Sequence, residues 1–177
     1  MSAEKEMGAN MDKVAIFADV QNLYYTVKQQ YQCHFDYGAF LEHATAGRNI
    51  TKAIAYATDK GDRKQKDFQQ ILERMGFEIK LTPFLQRRDG SAKGDWDVGI
   101  ALDMIEYAER VDTIVLASGD GDFTVVVDKI RHEHNVSVEI YGVPDLTAFA
   151  LIESATRFIP IQGSMLLPIP TTWGLSK

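Results

Sequence analysis

The sequence has one cysteine and no long hydrophobic run. Cys33 has no partner for an intramolecular disulfide and no second thiol for a zinc site, so it fits a reducing compartment and is expected to be a small buried or half-buried residue. The longest apolar runs, such as Thr113 to Ala117, are far below the roughly 18 residues that cross a bilayer. We therefore expect no membrane span and a cytoplasmic protein.

The amino terminus lacks the apolar segment of a signal peptide. Its first twelve residues include Glu4, Glu6 and Asp12, which predicts a disordered leader over 1–12. The total of 177 residues suits one globular domain with a full core. We expect that domain to span 13–162, followed by a surface or mobile tail over 163–177.

Positive charge is scarce overall, with a net charge of −6, but it is unevenly distributed. The segment from Lys60 to Lys93 holds nine basic and five acidic residues, a local net of +4. Because the whole chain carries −6, the rest carries −10. The total argues against indiscriminate nucleic-acid binding, whereas the distribution leaves a local basic surface open.

Short apolar runs alternate with segments of helical period along the chain. They predict strands at 13–18, 50–57, 77–81, 113–117, 136–141 and 157–161, with helices at 23–31, 36–41, 68–75, 95–110, 122–134 and 145–153. In the fourth helix the apolar residues are Val98, Ala101, Leu102, Ile105 and Ala108. Residues 83–94 show no apolar period and are predicted to form a loop.

This alternation predicts an α/β fold, a three-layer Rossmann-like domain with a mostly parallel sheet covered on both faces. If the first three strands are added outward and the chain then returns to the other side of the first, the strand order is 3-2-1-4-5. The first and fourth strands are then neighbours. Ligands of such sheets bind at this switch point, outside the carboxyl ends of the strands.

Aspartates follow both of these neighbouring strands. Asp19 ends the first strand, Asp120 and Asp122 follow the fourth, and Asp95 and Asp97 open the helix that leads into it. We expect these carboxylates to converge. Oxygen ligands of this kind suit Mg²⁺ or Mn²⁺, which can activate a water for attack on phosphorus.

Helix capping is the alternative explanation, because aspartate is a favoured N-cap. One helix requires one cap, however, and the pairs Asp95 with Asp97 and Asp120 with Asp122 supply two each. Asp103 lies six residues beyond Asp97, roughly 9 Å along the helix axis, and a surface or salt-bridge role is expected for it.

Small polar residues and glycines surround the predicted carboxylates. Asn22 is a candidate to contact a ligand water or a phosphate, and a solvated helical asparagine is the equal alternative. Ser118 is a candidate to hydrogen-bond a carboxylate or the attacking water, and without a neighbouring histidine it is a poor nucleophile. Gly119 and Gly121 suggest a tight turn that lets the backbone approach a ligand.

Three motifs in this order resemble the NYN domain of LabA-like proteins. They are Phe17-Ala18-Asp19-Val20-Gln21-Asn22, Lys93-Gly94-Asp95-Trp96-Asp97-Val98 and Ser118-Gly119-Asp120-Gly121-Asp122-Phe123. The resemblance covers about 13–160. It implies a PIN-like nuclease fold, a metal site built by Asp19, Asp97, Asp120 and Asp122, and RNA cleavage. The resemblance also keeps Asp103 as a candidate site residue. The extra Asp95 leaves open which aspartate faces the metal.

Basic and aromatic residues near the predicted site suggest RNA as the partner. The basic candidates for phosphate contact are Arg87, Arg88 and Lys93 on the loop, with Lys60, Arg63 and Lys64 after the second strand. The aromatic candidates for base stacking are Tyr24, Tyr25, Phe84 and Trp96, with core packing favoured for Tyr24 and Phe84. Intervening acids leave a merely solvated surface as the alternative.

Three functions fit these features. The first is a ribonuclease that hydrolyses phosphodiester bonds of single-stranded RNA with Mg²⁺ or Mn²⁺. The second is a non-catalytic RNA-binding or regulatory protein that keeps the pocket. A small-molecule phosphohydrolase fits less well, because the first strand lacks the paired Asp-x-Asp of phosphoaspartate enzymes. The sequence is also compatible with a homo-oligomer.

Overall fold

A parallel six-stranded sheet forms the centre of the computed structural model. The structure describes residues 11–83, 85–86, 92–93 and 96–170, and for 83, 85–86 and 92–93 only the backbone. The strands are β1 (Lys13–Asp19), β2 (Cys33–Phe35), β3 (Asn49–Asp59), β4 (Glu78–Pro83), β5 (Leu85–Gln86), β6 (Ala92–Lys93), β7 (Thr113–Ala117), β8 (Ser137–Gly142), β9 (Arg157–Pro160) and β10 (Leu166–Pro168).

Six α-helices accompany these strands in the described part of the chain. They are α1 (Val20–Tyr31), α2 (Tyr37–Thr45), α3 (Arg63–Met75), α4 (Asp97–Ala108), α5 (Thr124–Lys129) and α6 (Phe149–Ser154). A π-helical segment extends α5 over Ile130–His134, and 3₁₀ turns lie at Gly121–Phe123, Pro144–Leu146 and Gly163–Met165. Within the described ranges no helix has the length and apolar character to cross a bilayer.

The sheet order is β4-β3-β1-β7-β8-β9, and every neighbouring pair is parallel. The predicted order 3-2-1-4-5 corresponds to β4-β3-β1-β7-β8, so the α/β fold class is confirmed. The detail that differs is β9, a sixth strand that adds beyond β8. The segment between β8 and β9 contains α6, a helix of six residues.

Alternation along β1 divides the core into two layers. Val14, Ile16 and Ala18 pack with residues of α1, α2 and α3 on one face of the sheet. Ala15 and Phe17 pack with residues of α4, α5 and α6 on the other face. Both faces are therefore covered, as a parallel sheet requires.

Two short antiparallel pairs were not predicted. β2 pairs with β10, and β5 pairs with β6 inside the segment predicted to be a loop. Strands of two or three residues are too short to show an alternating pattern, which is why the sequence did not reveal them. Met165, just before β10, is 6% exposed and belongs to the core, so the packed structure continues to Pro168.

Candidate metal centre at the carboxyl edge of the sheet

Asp19 is the last residue of β1 and the N-cap of α1. Its side chain is buried, and Oδ2 accepts a hydrogen bond of 2.9 Å from the Ser118 hydroxyl while Oδ1 accepts a longer one, 3.4 Å, from the Asn22 backbone N–H. Burial, and then the charge of Asp19, raise the pKa of Tyr37. The Asp19 side chain is thus held by Ser118, which follows the neighbouring strand β7.

The turn after β7 carries the next two carboxylates. Asp120 Oδ1 accepts a hydrogen bond of 2.9 Å from the Asp122 backbone N–H and so caps the 3₁₀ turn. The Asp120 N–H in turn donates to Ser118 Oγ at 3.2 Å. Since Ser118 also donates to Asp19, one buried hydroxyl joins the end of β1 to the start of this turn.

The glycines of this turn are required by the protein itself. A Cβ on Gly119 would lie 2.7 Å from the Leu146 carbonyl oxygen, and one on Gly121 would lie 2.9 Å from the Ala148 Cβ. Neither glycine has a positive φ. The glycines let the segment before α6 approach, and the Ala148 N–H bonds the Gly119 carbonyl. The expectation that they also let the backbone approach a ligand stays a prediction.

Trp96 fixes the first turn of α4, which carries Asp97. Its indole N–H donates to the Ala57 carbonyl at 3.0 Å, and its ring packs edge-on against Tyr56 with centroids 5.5 Å apart. The ring also lies under Gly99, where a Cβ would be 2.5 Å from Trp96 Cε3. Trp96 therefore has a packing role that accounts for its position, rather than the predicted role of base stacking.

Asp97, Asp120 and Asp122 come together at this edge. Each offers a carboxylate oxygen, and these three atoms lie within 4.8 Å of one another. Asp97 and Asp120 are partly buried, whereas Asp122 is exposed. Opposite oxygens around Mg²⁺ are roughly 4.1 Å apart, so modest side-chain rotations would bring all three to one ion. The donor set is oxygen only, as Mg²⁺ and Mn²⁺ prefer.

The other predicted site residues lie around this group. Asp19 adjoins it through Ser118, and its place as a fourth ligand stays a prediction. The Asn22 amide oxygen accepts from the Gly119 N–H at 2.9 Å, so a contact with a ligand would fall to its Nδ2 group. The capping interpretation also applies in part, because Asp19 and Asp120 both cap helical turns.

Asp103 points away from this group, as the helix geometry predicted. Its Oδ2 accepts a hydrogen bond from the Tyr56 hydroxyl at 2.7 Å and pairs with Lys80 Nζ at 2.7 Å. Burial and then this hydrogen bond raise the pKa of Tyr56, which keeps the hydroxyl protonated as a donor. Asp103 therefore ties α4 to β3 and β4.

Comparison with known proteins identifies the family. Residues 13–163 match the NYN domain. The chain belongs to the NYN domain family. It is 26% identical over 164 residues to the low amplitude and bright protein LabA of Synechococcus elongatus, covering 88% of this chain and 87% of LabA. The crystal structure of VPA0982, a Vibrio parahaemolyticus protein of unknown function, is similar with 47% identity and a TM-score of 0.86, over 94% of this chain and 100% of that one.

Several residues predicted to contact RNA lie outside the described part of this NYN domain. They are Arg87 and Arg88, the side chain of Lys93, and Phe84. Asp95, one of the predicted carboxylates, also lies outside it. Lys60, Arg63 and Lys64 are described, and they are exposed where β3 ends and α3 begins. Because β3 is the neighbour of β1, this basic turn shares the edge on which Asp19 lies.

Two exposed tyrosines of the NYN domain lie on α1. Tyr24 is 43% and Tyr25 53% exposed, and their rings meet edge to face at 5.3 Å. The expectation of core packing for Tyr24 is therefore wrong. α1 is amphipathic, and its buried positions are Leu23 and Val27, which leaves the tyrosines on the solvent side.

Sequence reasoning missed an apolar surface beside the carboxylates. Val98, Leu102 and Phe123 line a shallow cavity together with Asp97 and Asp122. Val98 and Leu102 had been counted on the apolar face of the helix, yet the buried residues of α4 are Ile100, Met104 and Ala108. The i to i+4 spacing of Val98 and Leu102 was the available signal.

Proposed function

We propose that this NYN domain is a ribonuclease that hydrolyses single-stranded RNA in the cytoplasm with Mg²⁺ or Mn²⁺. The observation that carries the proposal is the convergence of Asp97, Asp120 and Asp122 within 4.8 Å at the switch point of the sheet. Carboxylates grouped this closely repel one another, and a divalent cation relieves that repulsion. The family match adds a nuclease-type fold to this geometry.

The three carboxylates would hold the ion, which supplies a Lewis acid for the phosphate and lowers the pKa of water. Asp120 keeps its place because the Asp122 N–H binds its Oδ1. Asp97 keeps its place because Trp96 is anchored to Ala57. The site is thus held by backbone contacts of rigid elements, which favours a fixed geometry for the reacting phosphate.

RNA as substrate is supported by the surface around the centre. Arg63 and Lys64 are exposed at the start of α3, where basic residues oppose the helix dipole by about 0.3–1 kcal/mol each. Their position is therefore not explained by helix stability. Tyr24 and Tyr25 offer exposed rings for stacking, which single strands use. We include Arg87, Arg88 and Lys93 as proposed phosphate contacts.

The test is cleavage of an end-labelled single-stranded RNA by the purified protein, with Mn²⁺ or with a chelator. Asp120→Asn should abolish cleavage, because asparagine keeps an oxygen for the Asp122 N–H but removes the charge that binds the ion. Asp128→Asn is the matched control, since Asp128 is an exposed aspartate on α5 outside the group of three. It should cut at the wild-type rate.

Two outcomes would contradict the ribonuclease proposal. Cleavage that persists in chelator, or equally in Asp120→Asn, would show that the activity does not use this centre. Binding of RNA without cleavage under any metal tested would instead support a non-catalytic RNA-binding or regulatory protein. The way Asp19 is engaged by Ser118 and Asn22 fits that second function as well, because it serves the fold without any ion.

A further inference from the structure

An apolar pocket opens directly beside the three carboxylates. It has a volume of about 260 Å³ and is lined, among the described residues, by Asp97, Val98, Ala101, Leu102, Asp122 and Phe123. Val98 is 74% and Leu102 63% exposed, whereas Phe123 is 1% exposed and packs in the core. We call this surface the Val98 pocket.

The packing of α4 does not account for these exposed side chains. The helix buries Ile100, Met104 and Ala108 against the sheet, and Val98 and Leu102 lie on the other side. Exposure of single apolar residues is common and needs no explanation. Val125 and Phe149, at 77% and 74% exposed, are examples in this protein. What distinguishes Val98 and Leu102 is that they share a pocket with two of the grouped carboxylates.

We propose that the Val98 pocket binds the nucleobase next to the phosphate held at the carboxylates. This inference rests on the proposed function. Asp97 and Asp122 belong both to the group of three and to the pocket wall, so a phosphate at the group places its own nucleoside at the pocket. Apolar side chains suit the flat face of a base that has left its stack.

Size and chemistry favour one base over a larger ligand. Sites that enclose a whole drug-sized molecule have roughly 300–1,000 Å³, and the Val98 pocket is smaller and open. Its wall combines apolar side chains with two carboxylates that the proposed ion would occupy. Such a wall offers stacking without base-specific hydrogen bonds, so all four bases should bind with similar affinity.

The test compares nucleotides with a sugar phosphate that lacks the base. Affinities of adenosine 5′-monophosphate, adenosine 3′-monophosphate and ribose 5-phosphate are measured by calorimetry with Mn²⁺. At least one nucleotide should bind about five-fold or more tightly than ribose 5-phosphate, because contact of the base with Val98 and Leu102 removes apolar surface from water. In Val98→Ala/Leu102→Ala this ratio should fall to near one, with ribose 5-phosphate affinity unchanged.

Val125→Ala is the matched control, because Val125 is as exposed as Val98 but lies outside the pocket. It should keep the wild-type ratio. An unchanged ratio in Val98→Ala/Leu102→Ala, or an equal loss in Val125→Ala, would overturn the proposal. The proposal would also be overturned if the wild type were a dimer, the double variant were a monomer, and the nucleotide preference were the same in both. A second copy of the chain would then cover the pocket.

Failure of this inference is distinguishable from failure of the proposed function. If RNA is cut and the nucleotide preference does not depend on Val98 and Leu102, the pocket proposal is wrong and the ribonuclease stands. If the preference is lost in the double variant but RNA is never cut, base binding at the pocket is supported and the ribonuclease is wrong. Equal thermal stability of the variants shows that neither result comes from unfolding.

Discussion

Asp120 caps a turn and is also one of the three grouped carboxylates. Oδ1 caps the 3₁₀ turn by accepting the Asp122 N–H, and the side chain still belongs to the group with Asp97. Capping and metal binding are therefore not alternatives for this residue. Asp19 differs, because protein donors reach both of its oxygens. These contacts give Asp19 a structural role, and its place as a fourth ligand stays a prediction.

Replacement of Asp120 tests whether the group binds a cation. Mn²⁺ at about 100 times its dissociation constant should stabilise the wild type by about 2.7 kcal/mol. For a domain of this size that corresponds to a rise in Tm of roughly 5–10 °C. Asp120→Asn should remove most of the rise, because one anionic ligand is lost while the cap is retained. Differential scanning fluorimetry with Mn²⁺ or chelator measures this.

Asp128→Asn again serves as the control and should show the full wild-type rise. Equal melting temperatures of the wild-type protein with Mn²⁺ and with chelator would count against a metal centre. A rise that survives unchanged in Asp120→Asn would place the ion elsewhere on the protein.

One part of the fold that the sequence did not predict is the orientation of α4. The helix has apolar residues around almost its whole circumference, so periodicity could not select the buried face. Contacts far apart in sequence decide it. Trp96 is bound to Ala57, and Asp103 is bound to Tyr56 and Lys80. These contacts rotate Asp97 toward Asp120 and leave Val98 in solvent.

The close packing of Trp96 on Gly99 predicts how an alanine at position 99 affects stability. Gly99→Ala should destabilise the protein by about 1–3 kcal/mol, because the new methyl group overlaps a ring that is anchored on its other side. This cost exceeds the helix-propensity gain of about 1 kcal/mol. In α2, Gly38→Ala meets only ordinary contacts at 3.4 Å or more and should be neutral or stabilising by up to about 1 kcal/mol. Urea denaturation compares the two.

If both alanine variants are stabilised alike, Trp96 does not fix the first turn of α4. A stabilised Gly99→Ala alone would mean that the indole ring can move aside. Either result would mean that the contact of Trp96 with Ala57 does not fix the position of Asp97.

Much of the candidate site followed from the sequence because the residues end regular elements. Asp19 and Asp120 follow strands that the pattern made neighbours, so their shared edge was predictable from topology. The contact of Ser118 with a carboxylate was also expected from its place at the end of the strand, and it is made with Asp19. The Val98 pocket was not predictable, since it depends on side-chain directions. The basic residues Arg87 and Arg88 lie outside the described residues, and their role stays a prediction.

An ion pair near the amino edge of the sheet links the start of β3 to β8. Arg48, just before β3, forms two hydrogen bonds of 2.8 and 2.7 Å with Glu139 of β8. These bonds lower the pKa of Glu139 below its ordinary value, although burial acts in the opposite direction. A lowered folded-state pKa contributes stability that is present above the unfolded value, about 4.3, and is lost as the pH falls through the folded value.

Glu139→Gln should therefore be less stable than the wild type at pH 7, with the difference shrinking as the pH falls below about 4. Thermal unfolding across this pH range measures it. Glu42→Gln, an exposed residue on α2, should parallel the wild type at every pH. A wild-type-like pH dependence of Glu139→Gln would show that the ion pair does not contribute to acid sensitivity.

The whole molecule carries a net charge of −6, which repels RNA at long range. Binding of a polyanion therefore depends on where the basic residues lie. Arg63 and Lys64 lie at the carboxyl edge of the sheet, the side of the carboxylate group. Lys13 and Arg110 lie at the amino edge, where β1 begins and α4 has ended. The two pairs have equal formal charge and differ in position, and Arg110 is also paired with Glu106 at 3.3 Å.

If RNA follows the carboxyl edge, Arg63→Ala/Lys64→Ala should weaken binding of single-stranded RNA and flatten its salt dependence. Each lost phosphate contact reduces the slope of log affinity against log salt by about 0.7 for a single strand. The expected change is thus up to roughly 1.4 for the pair. Fluorescence anisotropy in chelator, from about 50 to 200 mM salt, measures the slope without cleavage.

Lys13→Ala/Arg110→Ala removes the same total charge from the other edge and should leave the slope at its wild-type value. Because both double variants have the same net charge, an equal change in both would mean that only the overall field matters and that no phosphate path lies along the carboxyl edge. A larger change in the Lys13 and Arg110 variant would place RNA on the face away from Asp97 and Asp120, and the ribonuclease proposal would lose its substrate path.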